Sequence, residues 1–451
     1  MENKRNIPEG NHETNLFQAE KAILIGIHRQ ETPEAEYRWS ELGELVRAAG
    51  AVPAAAVRQL KSEPDPALFL GSGKADFLAE AVRVHQAGLV ISQQELTPSQ
   101  VRNLEDRTGV RVIDRTDLIL DIFAVRARTK EGKLQVELAQ LNYLLPRLGH
   151  SGQFSRLGGG IGTRGPGETK LETDRRRVRR RITELRRELA EVAQHRSIQR
   201  HRREKMEIPT VALVGYTNSG KSTLFNRCAA ATAAADHSEF PDGGAPRVAS
   251  QAGDRLFETL DPVSRRFTLP ERGEAILLDT VGFISDLPHQ LVAAFRATLE
   301  ETVRAALLLH VMDCSSPFLA LQHRAVLDVL GELGIAAKDH LTVLNKCDLM
   351  ANEYSLNRLA KEWDALPISA LYGQGVAELL HRIQQQLFSK VAVCCFMVPF
   401  REAAMAHWLH DNGRVLEETY HEAGVRLRVE LDQTFLPKVA KYILPEEEFR
   451  C

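Results

Sequence analysis

Thr210-Val-Ala-Leu-Val214 runs straight into Gly215-Tyr216-Thr217-Asn218-Ser219-Gly220-Lys221-Ser222, and this stretch decides the fold. Its first five residues read as a short buried strand, and a helical pattern starts at Thr223. The result is GxxxxGK[ST] in the strand, loop, helix setting the motif requires. Glycines let successive backbone N–H groups turn inward onto phosphate oxygens at a helix N-terminus. Lys221 brings a point charge to the β and γ groups, and the Ser222 hydroxyl suits Mg²⁺.

Further along, the apolar strand Ala275–Leu278 ends in Asp279-Thr280-Val281-Gly282. In this DxxG the carboxylate can hold a metal through water and the glycine N–H can sense a γ-phosphate. Asn345-Lys346-Cys347-Asp348 follows the strand Leu341–Leu344. A carboxylate at Asp348 accepts from both N1–H and the exocyclic amine of guanine, which adenine cannot offer. The base read is therefore guanine, with Ser369-Ala370-Leu371 closing the pocket. A switch threonine is expected between the two phosphate motifs. Thr259, in Phe257-Glu258-Thr259-Leu260-Asp261, is the first choice and Thr268 the second. The chemistry expected over about residues 207–389 is hydrolysis of GTP to GDP and phosphate. Lys221, Thr259 and Gly282 are placed at the reacting phosphate, Ser222 and Thr259 on the metal, and the other residues named around the nucleotide.

Upstream, about residues 20–128 alternate apolar strands (Ala22–Ile27, Leu89–Ser92, Val110–Ile113) with helical patterns at Glu34–Ala49, Asp76–Gln86 and from Thr97-Pro98, where Thr caps and Pro fits the first turn. This predicts a small α/β domain. Gly71-Ser-Gly-Lys74 lacks the leading glycine and the trailing hydroxyl of a phosphate loop, and is read as a helix entry rather than a second nucleotide site. Over 129–206, Leu134, Leu138, Leu141 and Leu145 form one apolar stripe and Val178, Ile182, Leu185, Leu189 and Val192 another, so the two helices bury each other as an antiparallel hairpin. Leu157-Gly-Gly-Gly-Ile-Gly-Thr-Arg-Gly-Pro-Gly-Glu-Thr169 joins them. Its glycines suit close approach to a partner.

Charge singles out the same hairpin. The chain's net charge is only -2, yet Arg147 to Lys205 holds 17 Lys/Arg against 7 Asp/Glu, including Arg175–Arg177 and Arg179–Arg181. A basic element in a neutral protein points to RNA. The 451 residues allow about three domains at roughly 100–200 residues each. A 43% hydrophobic content excludes disorder as the main state. The longest apolar stretch, Ala305 to Met312, falls short of the roughly 20 residues of a membrane span, and Met1–Asn15 has no apolar signal core, so a cytoplasmic protein is expected. Cys228, Cys314, Cys347, Cys394, Cys395 and Cys451 show neither CxxC spacing nor histidine partners and are read as reduced thiols.

The runs LGGGIGTRGPGETKLETDRR, GYTNSGKSTLFN, LFETLDP and LLDTVGFISDLP resemble the signatures of the HflX family of ribosome-associated GTPases over about residues 20–445. The resemblance implies an N-terminal α/β domain and helical hairpin ahead of the GTPase domain. It also implies binding to the large ribosomal subunit and its RNA, splitting of stalled ribosomes, and a hairpin loop approaching the peptidyl-transferase region. Asn218 stands where related GTPases hold an activating K⁺. A monomer is expected. The alternative is an RNA-binding scaffold with GTP as a structural ligand, against which the complete Lys221, Ser222 and Asp279 set argues. About fifteen residues around Ala231–Gly253 are additional to the family pattern. Residues 390–446 read as a strand (Val391–Pro399), helix (Arg401–Asp411), hairpin (Val415–Tyr420 with Val425–Leu431) and helix (Leu436–Ile443), a small α/β domain.

Overall fold

The computed structural model describes residues 19–148, 166–204, 208–233, 256–257, 259–260, 262–270, 273–286, 288, 299–335, 338–388 and 391–444. The glycine-rich run up to Gly165, and the additional stretch beyond residue 233, lie outside them.

Four parallel strands, β1 (Lys21–His28), β2 (Val52–Leu60), β3 (Leu89–Ser92) and β4 (Arg111–Asp114), form the first sheet in the order β2-β1-β3-β4. Alternation along β1 divides its faces. Ala22 and Leu24 pack toward α1 (Pro33–Ala48) and α4 (Arg115–Arg126), while Ile23, Ile25 and Ile27 pack toward α2 (Ser72–His85) and α3 (Pro98–Thr108). Thr97 caps α3 in a reciprocal box with Gln100, with Pro98 in the first turn, as its sequence predicts. α2 starts at Ser72 rather than Asp76, so Gly71-Ser-Gly-Lys74 is its entry turn, tied by the Gly71 N–H to Gln59 Oε1 at 2.9 Å. β2 escapes the sequence reading because Pro53 and Ala54–Ala56 are weak strand formers. At a sheet edge they are tolerated.

Helices α5 (Lys130–Leu144) and α6 (Pro166–Glu204) pack through Leu134 and Leu138 against Ile182 and Leu185, flanked by Leu141, Leu145, Val178 and Leu189. α6 begins inside the run expected as loop, at its Pro166, a residue suited to a first helical turn. Arg181 turns back onto α5 and donates from Nε and Nη2 to the Glu137 carboxylate at 2.7 and 2.9 Å. It is therefore a bracing residue, whereas Arg177 and Arg180 are 80% and 82% exposed.

The second sheet has the order β10-β9-β8-β5-β7-β6, from β5 (Thr210–Val214), β6 (Val263–Thr268), β7 (Glu274–Asp279), β8 (Leu307–Asp313), β9 (His340–Asn345) and β10 (Ala365–Pro367). Only β6 and β7 pair antiparallel. On one face Val211 and Leu213 meet α7 (Lys221–Ala233) and α10 (Val376–Phe388). On the other, Ala212 and Val214 join α8 (Leu319–Glu332) in an apolar core that continues into α1 and α4 of the first domain. α9 (Glu353–Glu362) covers the β9 and β10 edge.

The C-terminal sheet is antiparallel, in the order β12-β13-β11-β14. It is built from β11 (Val391–Val398), β12 (Gly413–His421), β13 (Gly424–Asp432) and β14 (Ile443–Leu444), with α11 (Ala403–Asn412) and α12 (Leu436–Val439). The expected helix Leu436–Ile443 is corrected. It is one α-turn, then a 3₁₀ turn over Ala440–Tyr442, and Ile443 and Leu444 pair with Phe396 and Cys395. Eight residues cannot sustain a helix when a sheet edge offers their backbone partners.

Candidate functional site

The carboxyl ends of β5, β7 and β9 and the residues after β10 surround a cavity of about 520 Å³. Lys221, the first residue of α7, is 5% exposed, with Nζ donating to the carbonyls of Tyr216 (2.7 Å) and Gly215 (3.1 Å). Burial lowers its pKa to about 8, against the opposing pull of Asp279. An unfolded lysine titrates near 10.4, so between these values the unfolded chain holds a proton that the folded one lacks. Stability therefore rises with pH across that window, and below it the buried charge costs roughly 3 kcal/mol. Phosphate oxygens beside Nζ would restore the charged form. GDP binding near pH 9 is thus expected to take up a proton that binding at pH 7 does not, as measured by calorimetry in buffers of different ionisation enthalpy. Equal proton counts at the two pH values would remove Lys221 from the phosphate.

Three oxygens meet beside it. Ser222 Oγ lies 2.7 Å from Asp279 Oδ2 and 3.0 Å from Thr259 Oγ1, and Thr259 Oγ1 is 2.9 Å from the same Oδ2. Asp279 Oδ1 is buried with no hydrogen-bond partner, as are Thr217 Oγ1 and Ser219 Oγ. Burial pushes the Asp279 carboxyl up, while Ser222, Lys221 and Thr259 pull it back. A set of hard oxygens with one orphaned carboxylate atom suits Mg²⁺, with Ser222 and Thr259 as candidate direct ligands. Thr268 stands at the far end of β6, opposite Glu274, away from these oxygens.

Gly220 has φ +89°, and a Cβ there would come within 2.2 Å of Asn345 Nδ2. That contact is structural: Asn345 donates to the Ser219 carbonyl at 2.8 Å and accepts from the Ala370 N–H at 2.9 Å, tying three loops together. Lys346, at φ +65°, pairs with Asp313 at 2.7 Å, and Asp348, Ala370 and Leu371 line the cavity. Replacing Asp348 by Asn should shift preference from GTP toward xanthosine triphosphate, because the amide donates where guanine's amine also donates. Competition binding of the two nucleotides measures this, and unchanged GTP preference would reject Asp348 as the base reader.

Not every expected residue points at the cavity. The side chains of Leu260 and Val281 are buried in the apolar core; Thr280 borders the cavity, but its hydroxyl donates to the Leu213 carbonyl. Cys347 Sγ is 3.8 Å from Gln374 Oε1. Glu258 and Asp261 lie outside the described residues. The sequence reading missed Arg227 on α7, which donates to the carbonyls of Ala370 (3.1 Å, from Nε) and Leu371, bracing the base loop from behind. No spacing rule marks it, because it acts on backbone 143 residues away. Phe257, at φ +57°, sets its ring edge against Phe123 of α4, with centroids 4.7 Å apart.

Four family descriptions match successive parts of the chain: "GTP-binding GTPase N-terminal" over residues 36–124, "GTP-binding GTPase Middle Region" over 126–203, "50S ribosome-binding GTPase" over 210–346 and "HflX C-terminal domain" over 355–439. The GTPase HflX of Caldanaerobacter subterraneus subsp. tengcongensis is 45% identical over 426 residues, covering 94% of each chain. That of Escherichia coli is 42% identical over 418 residues, covering 91% of this chain and 93% of its own. Among solved structures, a GTP-binding protein from Sulfolobus solfataricus in complex with GDP is 26% identical with a TM-score of 0.41, spanning 82% of this chain and 99% of that one. No helix among the described residues is long and apolar enough to cross a membrane.

Proposed function

Since the chain belongs to the GTPase HflX family and is a GTPase, we propose that it binds the large ribosomal subunit and its RNA, and uses its GTP state to split or rescue stalled ribosomes. The division of labour is the one read from the sequence: residues 20–128 and 390–446 as flanking α/β domains, 129–206 as the RNA-facing hairpin, and 207–389 as the Mg²⁺-dependent GTPase domain of a cytoplasmic monomer. The observation that carries this reading is the outward face of α6, where Arg177 and Arg180 stand in solvent on a helix braced from behind by Arg181 and Glu137. Among the described residues each is paired only along its own helix, Arg177 with Asp174 at 3.9 Å and Arg180 with Glu184 at 3.0 Å, and such exposed pairs are weak enough for phosphates to displace. The test is to mix intact ribosomes with the protein and GTP, or a nonhydrolysable analogue, and follow separation on sucrose gradients. Intact ribosomes throughout, with no protein in the large-subunit fraction, would defeat the proposal.

The same proposal gives Asn218, at φ +60° on the phosphate loop, the role of K⁺ ligand. A fixed cation there would offset charge developing between the β and γ groups. Replacing K⁺ by Na⁺ at constant ionic strength should slow hydrolysis by about 10²-fold, the order lost with one charge-stabilising contact. Equal rates in the two salts would return Asn218 to a loop-bracing role.

A further inference from the structure

The first domain touches the GTPase domain through α1 and α4, and the contacts reach α8, the phosphate loop and the segment after Gly282. Tyr37 stacks on Phe318 with centroids 4.5 Å apart and receives a hydrogen bond from Gln322 Nε2 at 2.8 Å. Four residues along α1, the Glu41 carboxylate is 4% exposed, paired with Arg115 at 2.6 Å and accepting the hydroxyl proton of Tyr216. Burial raises the Glu41 carboxyl, and Arg115 and the Tyr216 hydroxyl lower it again. Tyr216 is the second residue of the phosphate loop, 175 positions away in the chain.

The bonding has a direction. A carboxylate can only accept, so the Tyr216 proton is committed to Glu41 and the Tyr216 oxygen is left as an acceptor. It receives the Ser285 N–H at 2.8 Å and lies 2.8 Å from Ser285 Oγ. Just before Ser285, Phe283 pairs with the loop backbone, its carbonyl accepting from Thr217 N–H at 2.7 Å and its N–H donating to the Gly215 carbonyl at 3.1 Å. The segment Gly282 to Ser285 is thus laid along the phosphate loop and fastened at its far end by a tyrosine whose orientation is set from the other domain. Asp286, the next residue, faces Arg38 at 3.3 Å and Arg115 at 3.9 Å. An ion pair as buried as Glu41 with Arg115 is a poor source of stability compared with apolar packing, so its directional bonding is what it adds here.

We propose that Glu41 is a positioning residue for GTP hydrolysis: through the Tyr216 hydroxyl it holds the Gly282–Ser285 segment on the phosphate loop, so that the N-terminal domain sets the basal hydrolytic rate. The proposal rests on Gly282 being the γ-phosphate sensor. An amide displaced by about 1 Å at that point can lower a rate by up to about 10²-fold.

The full-length protein tests it through Tyr216→Phe, Glu41→Ala, Glu41→Gln and the double variant Glu41→Ala/Tyr216→Phe, each assayed for single-turnover GTP hydrolysis and for GDP affinity. Tyr216→Phe and Glu41→Ala should each slow hydrolysis at least tenfold while leaving the GDP Kd within twofold. The double variant should be no slower than the worse single one, because both break one chain of bonds. Glu41→Gln keeps an acceptor oxygen and should recover most of the rate. Gln322→Ala loosens the same domain contact away from the phosphates and should hydrolyse normally. Should Glu41→Ala fail to fold, Tyr216→Phe, which removes one oxygen, still decides. The proposal is overturned by unchanged rates in Tyr216→Phe, by Gln322→Ala slowing hydrolysis equally, or by GDP affinity falling in step with rate. A wild-type protein that hydrolyses GTP while Tyr216→Phe matches it would sink this role alone; loss of GDP binding in Lys221→Ala, measured beside it, checks the phosphate site separately.

Discussion

Cutting the glycine-rich run from Gly158 to Gly167 down to a two-residue link should reduce ribosome splitting to background while GDP affinity stays within about twofold, a difference of under roughly 0.5 kcal/mol. The affinity should hold because the described residues that line the nucleotide cavity all belong to the phosphate loop, the switch segments and the base loops of the GTPase domain. Splitting should fail because the run is the only part of the hairpin whose composition permits close backbone approach to folded RNA. The stalk behind it is well built to carry force: Leu185 is fully buried between the helices, and Leu134, Leu138 and Ile182 are nearly so. Truncating such a leucine to alanine costs about 2–5 kcal/mol, so the stalk bends only at a real energetic cost. Charge reversal at Arg177 and Arg180 should act differently, weakening ribosome binding with a shallower salt dependence, since each lost phosphate contact removes about one released counterion. Arg181→Ala should instead loosen α6 from Glu137 and leave the salt slope unchanged. A shortened-loop variant that separates subunits at the normal rate would make the run a plain connector.

What could be read from the sequence is what acts locally. Asp279 and Asn345 end β7 and β9, Lys221 and Ala370 come shortly after β5 and β10, and a motif at the carboxyl end of a strand keeps its meaning whatever the rest of the chain does. Thr97 with Pro98 and Gln100 is equally self-contained. The missing parts are those decided by a distant partner. β2 is a strand because β1 supplies its hydrogen bonds, despite Pro53, and β14 exists because β11 has a free edge at Phe396. Arg181 belongs to the basic run by composition, yet Glu137 on the facing helix makes it structural. Glu41 looks like any surface glutamate of an amphipathic helix. Only the fold brings Tyr216 and Arg115 to it, and one-dimensional spacing holds no trace of that meeting.

Ribosome-free protein should hydrolyse GTP slowly, with the large subunit accelerating turnover by roughly 10²-fold or more, the scale on which an externally completed GTPase site responds. Ras-like enzymes place a glutamine after the DxxG glycine to orient the attacking water, and here Phe283 stands there. Phenylalanine can neither donate nor accept for a water. The structure also removes the option of a rearrangement. Phe283 is 1% exposed with its ring in the core shared by the two domains, and both its backbone groups are spent on Gly215 and Thr217. Swinging this residue toward the phosphates would break two hydrogen bonds and bare a ring worth about 2–3 kcal/mol of burial. Phe283→Gln is therefore not expected to create a fast enzyme. Its amide would be buried without partners, lowering stability by about 2–4 kcal/mol in chemical denaturation while the basal rate stays low. Rapid turnover by wild-type protein alone, or a Phe283→Gln variant that is stable and fast, would show that this position faces the water after all.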